Sequence, residues 1–302
     1  MMKSRHSKSA CIFAIALLAL AASASVCADY SISNKETFNR TSSATSIPDC
    51  GSSFTYLGES LDIKFTLTWT GDEDPPVDLT FTVHLRESDI ELSDTPEWIN
   101  NEAEATLKVP ILSDYFPQLP AGPWNETISI QDISGGTLQE APILFNVEIR
   151  LGRIRLDNAL GSTDQLIARW RTEYWDSELG NGEGGWRPNQ DDACTFFELT
   201  QVLYRTASNG AGSPIDNGNA PIISPESGTQ FNRLTEPDEW NLDLSKGPGL
   251  MGFERIGTDR AWLEITFDKK DVESVFGPID WARLSFGLHA GDENRVFTLE
   301  VP

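Results

Sequence analysis

The chain has 302 residues, a formal net charge of −23, four cysteines and three histidines. Such acidity repels nucleic-acid phosphates and anionic membrane surfaces, which excludes both as partners. The length suffices for one large domain or two modest ones, and so few histidines and cysteines argue against a structural zinc.

Residues 1–28 read as a secretory signal peptide. Lys3, Arg5 and Lys8 give a basic start, residues 11–28 (CIFAIALLALAASASVCA) an apolar core closing on small residues, and cleavage is expected before Asp29. The apolar run is too short to span a membrane, and no second long one follows. A lipid-anchored alternative at Cys27 is disfavoured by the bulk of Val26 before it. The product is therefore expected to be exported, to the periplasm, the cell surface or the medium. Residues 29–49, polar and rich in Ser and Thr, are expected to be a flexible leader.

From Cys50 onward the pattern is that of strands. In LDIKFTLTW (61–69), Leu61, Ile63, Phe65, Leu67 and Trp69 alternate with polar residues, and VDLTFTVHLR (77–86) repeats this with Val77, Leu79, Phe81, Val83 and Leu85. Strict period-two alternation is what a half-buried antiparallel strand needs. The intervening TGDEDPP is turn-like, which predicts a hairpin. ATLKVPI (105–111) continues the alternation, and Pro110, lacking an amide donor, marks an edge strand. ETISIQDI (126–133) follows, then LFNVEIRLGRIRL (144–156), whose apolar parity flips between Leu151 and Ile154. A β-bulge near Gly152 is the expected device for that flip.

Alternation persists in AWLEITF (261–267) and WARLSFGLHAG (281–291), and also in EWNLDL (239–244) and NRVFTLEV (294–301). TDQLIARWR (163–171) suits a helix or a strand equally. The predicted fold is all-β, an antiparallel β-sandwich architecture with two packed sandwich-like domains at 50–150 and 151–302.

Signal removal takes Cys11 and Cys27 and leaves Cys50 and Cys194, which an oxidising compartment is expected to pair. A staple closing so long a loop is worth roughly 4–5 kcal/mol in chain-entropy models. No nucleophile elbow, phosphate loop or zinc-protease motif occurs, and carboxylates are too abundant to single out a glycosidase pair. No cofactor is implied, apart from calcium. The oxygen-rich stretches GDEDPPVD and NQDDAC make Asp191 and Asp192 candidate calcium ligands, with an acidic turn as the plainer role. Of nine tryptophans, Trp175 and Trp186 flank the loop DSELGNGEGG and are candidate sugar-stacking residues, with loop packing as the plainer role.

The blocks LGRIRLDNALGS (151–162), RTEYWD (171–176), GGWRPNQDDACT (184–195) and WARLSFGLHAGDENRVFTLE (281–300), with FTYLGES (54–60) before them, occur in a fixed order. Together they resemble the C-terminal domain of the MshQ family of MSHA (mannose-sensitive haemagglutinin) pilus biogenesis proteins. The resemblance implies a domain of unknown molecular function, with no catalytic residues to carry over. It places the chain in a type IV pilus system, in assembly or near the fibre tip, and implies protein partners. MshQ-like proteins are commonly longer, with preceding β domains, often lectin-like, and activity residing there does not carry over. The expected function is thus non-enzymatic contact within a pilus or surface assembly. The alternatives are a secreted carbohydrate-binding or adhesin module that recognises surface glycans, and a secreted glycoside hydrolase or lyase.

Overall fold

The computed structural model describes residues 29–40, 51–116, 119–195, 202–205, 213–214, 222–223, 230–234, 249–257, 261–267 and 275–287. The strands of the first half are β1 (Asp29–Phe38), β2 (Thr55–Tyr56), β3 (Ser60–Trp69), β4 (Leu79–Leu85), β5 (Ser88–Asp94), β6 (Glu102–Pro110), β7 (Trp124–Ile133), β8 (Thr137–Leu138) and β9 (Ile143–Arg150). Those of the second half are β10 (Gly152–Leu156), β11 (Ala159–Gly161), β12 (Gln165–Asp176), β13 (Gly185–Pro188), β14 (Val202–Arg205), β15 (Ser213–Pro214), β16 (Ile222–Ile223), β17 (Gln230–Arg233), β18 (Gly249–Ile256), β19 (Ala261–Phe267) and β20 (Ala282–Phe286). The fold is all-β and sandwich-like, as the alternation requires.

Four sheets result. Two have the orders β6-β3-β1-β8 and β2-β9-β7-β4-β5; the others are β10-β12-β18-β17-β16, with β13 also paired to β12, and β11-β20-β19-β14-β15. Pro110 ends β6, which is an edge strand, where the missing amide costs no ladder bond. The segment open to helix or strand is strand: β12 buries Leu166, Ala168 and Trp170 and turns Gln165, Ile167 and Arg169 outward.

Several expectations are corrected. Residues 29–38 are not leader but β1, paired with β8 and with Tyr30 buried against Trp69 at a ring distance of 4.9 Å. A fully buried aromatic repays the ordering of a polar strand; residues 41–49 lie outside the described residues. Strands β3 and β4 form no hairpin, because they belong to different sheets, and the antiparallel neighbours of β4 are β5 and β7. Val77, assigned to the apolar face, precedes β4 and is exposed. No bulge absorbs the parity flip near Gly152. Instead β9 ends at Arg150 and β10 starts at Gly152 in another sheet, so the residue between them breaks the register. The strands expected at 239–244 and 294–301 lie outside the described residues.

The chain forms two compact units, neither of them continuous. Unit 1 takes Met1–Glu36, Ile63–Leu107 and Ile128–Phe145, and unit 2 takes Thr37–Asp62, Lys108–Thr127 and Asn146–Pro302. These units have other bounds than the domains expected at 50–150 and 151–302. In unit 1, Phe65 and Phe81 meet edge-to-face at 5.7 Å, with Ile63, Leu67, Val83, Leu85, Leu107 and Ile130 buried around them. Each such burial is worth about 1.5–3 kcal/mol.

The core of unit 2 gathers Trp170, Phe231, Phe253, Phe267 and Phe286, all buried. Trp170 lies opposite Gly249 in the β12–β18 ladder, and a Cβ built on Gly249 would stand 1.6 Å from the indole Nε1. The indole occupies the space any larger residue would need. Gly249→Ala is therefore expected to lose about 1–3 kcal/mol by overpacking, read as a lower urea midpoint. A midpoint equal to wild type would contradict this packing.

Candidate functional site: a buried arginine clamp

Unit 2 holds a buried ionic cluster centred on Arg40. This residue follows β1 at φ 60°, a left-handed conformation that costs a non-glycine residue roughly 1–2 kcal/mol and persists only where surrounding contacts impose it. Here they do. Arg40 Nε donates to both carboxylate oxygens of Glu59, at 3.2 and 2.9 Å. Its Nη1 donates to Asp192 Oδ1 at 2.6 Å, and its Nη2 to Thr195 Oγ1 at 2.9 Å. The guanidinium lies 4.7 Å from the centre of the Tyr56 ring, a cation–π contact strengthened by the full burial of both groups.

Local chain geometry brings the acids in. Gly58, at φ 94°, supports a tight turn in which the Glu59 amide donates to Tyr56 O and the Tyr56 amide donates to Glu59 Oε2. Asp192 bends its own loop: its Oδ1 accepts from the amides of Cys194 (3.1 Å) and Thr195 (2.9 Å), the Asx geometry that short acidic side chains favour. Its Oδ2 accepts from the hydroxyls of Tyr56, Thr172 and Thr195. Asn189 donates to the Tyr56 hydroxyl and accepts from Arg150, whose guanidinium lies 4.1 Å from the Phe54 ring centre and also holds Glu148 and Asp191.

Burial sets the protonation states. It disfavours the Arg40 cation, but Glu59 and Asp192 more than offset this and hold its pKa above the usual arginine value. Burial also acts to raise Asp192, yet Arg40 and the hydrogen bonds from Thr195 and Thr172 lower it below the ordinary carboxylate value. Glu59 is raised by burial, only partly offset by Arg40. Burial and the neighbouring Asp192 charge push the Tyr56 hydroxyl well up, so it remains a donor. The arrangement is a clamp joining Arg40, Tyr56 and Glu59 to the loop 189–195, with its polar atoms committed to one another.

The residues singled out from sequence separate. Asp191 and Asp192 do not converge on a shared cation: Asp192 is committed to Arg40 and its donors, whereas Asp191 pairs outward with Arg150. Cys194 is buried and disulfide-bonded; Cys50 lies outside the described residues. Trp175 and Trp186 do come together, as a cross-strand pair at 5.6 Å and 86°. They meet edge-to-face, and Arg153 lies 4.3 Å from the Trp186 ring centre, so that ring is already engaged from within the chain.

Sequence reasoning missed two ladders built the same way. On one sheet of unit 2, Glu173 accepts from Arg153 and Arg171. On the other, Glu264 accepts from Arg205 and Arg283, whose guanidinium groups lie over Trp281 (4.2 Å) and Trp262 (4.7 Å). Half-buried tryptophans thus serve as shelves for arginines that cover glutamates. Arg40 was hidden in an apparently flexible segment. Glu59 did leave a signal: it shares the odd-numbered phase of Leu61, Ile63 and Phe65, the buried face of that strand.

The family model described as "DUF6701, fourth domain" matches residues 150–301, beginning where the chain passes from β9 to β10. This chain belongs to the DUF6701 family. No curated protein matches it. Among solved structures, a marsupial T cell receptor is 10% identical, covering 86% of this chain and 73% of its own, at a TM-score of 0.22. The C-terminal domain of the Streptococcus agalactiae AgI/II polypeptide BspA is 7% identical, covering 84% and 99%, at 0.26. Tp47, the 47-kilodalton lipoprotein of Treponema pallidum, is 8% identical, covering 85% and 50%, at 0.20. TM-scores this low do not establish a shared topology with the DUF6701 chain.

Removing Arg40 alone strands two buried acids. Arg40→Met is expected to cost about 3–5 kcal/mol, whereas Arg155→Met, at an exposed position, stays within about 0.5 kcal/mol. Equal urea midpoints for the two variants would contradict the clamp. A lowered Asp192 binds protons less readily folded than unfolded, so its contribution is present above the unfolded pKa and lost as pH falls through the folded one. Glu59, being raised, acts in the opposite sense, so the comparison must isolate Asp192. Stability measured from about pH 5 down to about pH 2 should fall more steeply for wild type than for Asp192→Asn; parallel curves would contradict the assignment.

Proposed function

We propose that this DUF6701 protein is an exported, non-enzymatic component of an MSHA-like type IV pilus system that works by protein–protein contact, in assembly or at the fibre tip. The pilus assignment draws on the order of the blocks at 54–60, 151–162, 171–176, 184–195 and 281–300, and the membership of an uncharacterised domain family is compatible with it. The observation that carries the non-enzymatic reading is the state of the acids at the centre of unit 2. Asp192 and Glu59 are spent on one guanidinium, three hydroxyls and backbone amides, which makes them parts of a scaffold rather than a proton-transfer pair. A rigid β body of this kind offers sheet faces and edges to partners.

Export and the staple go together in this proposal. Cys194, buried in the clamp loop, is expected to pair with Cys50. Peptide mapping of the exported protein without reductant should recover a Cys50–Cys194 cross-linked peptide; a free Cys50 thiol would contradict it. Deleting the gene should reduce piliation or attachment, and unchanged piliation and attachment would count against the pilus role. The second reading, a carbohydrate-binding module, draws on the adjacency of Trp175 and Trp186. It requires glycan-array binding that Trp186→Ala abolishes, and an array silent with and without calcium would dismiss it.

A further inference from the structure

One outward sheet face of unit 2 is unlike the rest of this acidic chain. On β12 and β10, alternate positions place Arg155 and Arg169 beside Arg171, with Arg155 directly opposite Arg171 in the register. Arg171 is spent on Asp157 and Glu173. Arg155, about half exposed, has only Asp157 at 3.3 Å, and Arg169 is exposed with no ion pair among the described residues. Asp157 bridges Arg155 and Arg171 across the strands, but Arg169 adds a third like charge on this face that no ion pair among the described residues offsets. The same face continues into apolar residues: Ile167 is 53% exposed, Leu250 40% and Ile256 47%. Leu250 stands opposite Arg169 and Gly252 opposite Ile167, and the half-buried Leu234 side chain packs onto Gly252, adding to the apolar part of this face.

Unit 1 carries the complementary surface. The loops 70–78 and 95–101 are joined where Trp98 Nε1 donates to Pro76 O at 2.8 Å and Thr95 donates to Asp78. The residues that follow, Val77 and Ile99, are 65% and 67% exposed, and around them Asp72, Asp74 and Glu97 are exposed as well. One surface is apolar with unspent arginines, and the other is apolar with unspent carboxylates.

We propose that the acidic loop pair of unit 1 docks onto the arginine-bearing face of unit 2 in a second copy of the chain, giving head-to-tail association. Such a contact uses two different surfaces, so each copy can both receive and donate. The large net negative charge does not forbid it: at about 0.15 M ionic strength screening confines charge interactions to about 8 Å, so the local pairing decides. The apolar residues supply contact area and the charges supply orientation. A pilus role can fail with this contact intact, and the contact can fail with a pilus role intact.

The test is sedimentation velocity on the exported chain. Wild type is expected to form faster-sedimenting species as concentration rises, and to form less of them in about 1 M salt, where the Debye length falls to about 3 Å. Arg155→Ser/Arg169→Ser disables the receiving face, and Val77→Ser/Ile99→Ser disables the donating loops. All four positions are exposed, and circular dichroism checks that both variants fold. Each variant alone is expected to remain monomeric. Mixed, they are expected to give a one-to-one dimer and nothing larger, because a single native pair of surfaces remains. A wild type that is monomeric at every concentration, a variant that still self-associates, or a mixture without dimers would overturn the proposal. If wild type stays monomeric while binding polygalacturonate through Arg155 and Arg169, the face belongs to an acidic glycan and the second copy is ruled out.

Discussion

The structure of unit 2 depends on one cation in the wrong place for a surface residue. Arg40 is fully buried, held in a left-handed conformation, and bonded to two carboxylates that are themselves buried. Each of the three ions alone would be costly to desolvate, and the geometry is tolerable only because the hydrogen bonds are nearly complete. This explains how Arg40, Tyr56 and Glu59 are tied into unit 2. It also helps fix the loop 189–195: the amides of Cys194 and Thr195 are satisfied by Asp192, and those of Asn189, Asp192 and Ala193 by backbone carbonyls.

Much of the fold was legible because sheets have a period of two. The buried faces of β3, β4, β6 and β12 follow the alternation residue by residue. What alternation does not encode is the partner of a strand, so the transition from β3 to β4 read as a hairpin although the two lie in different sheets. The parity flip before Ile154 was seen correctly, but a change of sheet and a bulge leave the same trace in sequence. The site was mostly illegible. Glu59 lies in the apolar phase and is readable as a buried acid, whereas Arg40 sits in a polar, Ser/Thr-rich stretch and its partners are up to 155 residues away. A contact of that separation leaves no periodic signal.

The tryptophans illustrate how composition misleads when geometry is unknown. Exposed indoles on a β protein suggest sugar platforms, yet here Trp186, Trp262 and Trp281 each carry an arginine from the same chain. The glutamates beneath those arginines are thereby desolvated as well as paired. The outer faces of unit 2 are thus ordered by ion pairs on aromatic supports.

The account rests on the clamp, and native-state hydrogen exchange tests it most directly. The amides of Tyr56, Cys194 and Thr195 donate to Glu59 and Asp192, so in wild type they are predicted to exchange only as slowly as the core amides of β12. In Arg40→Met, under conditions where β12 remains protected, the same three amides are predicted to exchange rapidly. Protection of all three that is indifferent to the loss of Arg40 would contradict the claim that this guanidinium holds the region together.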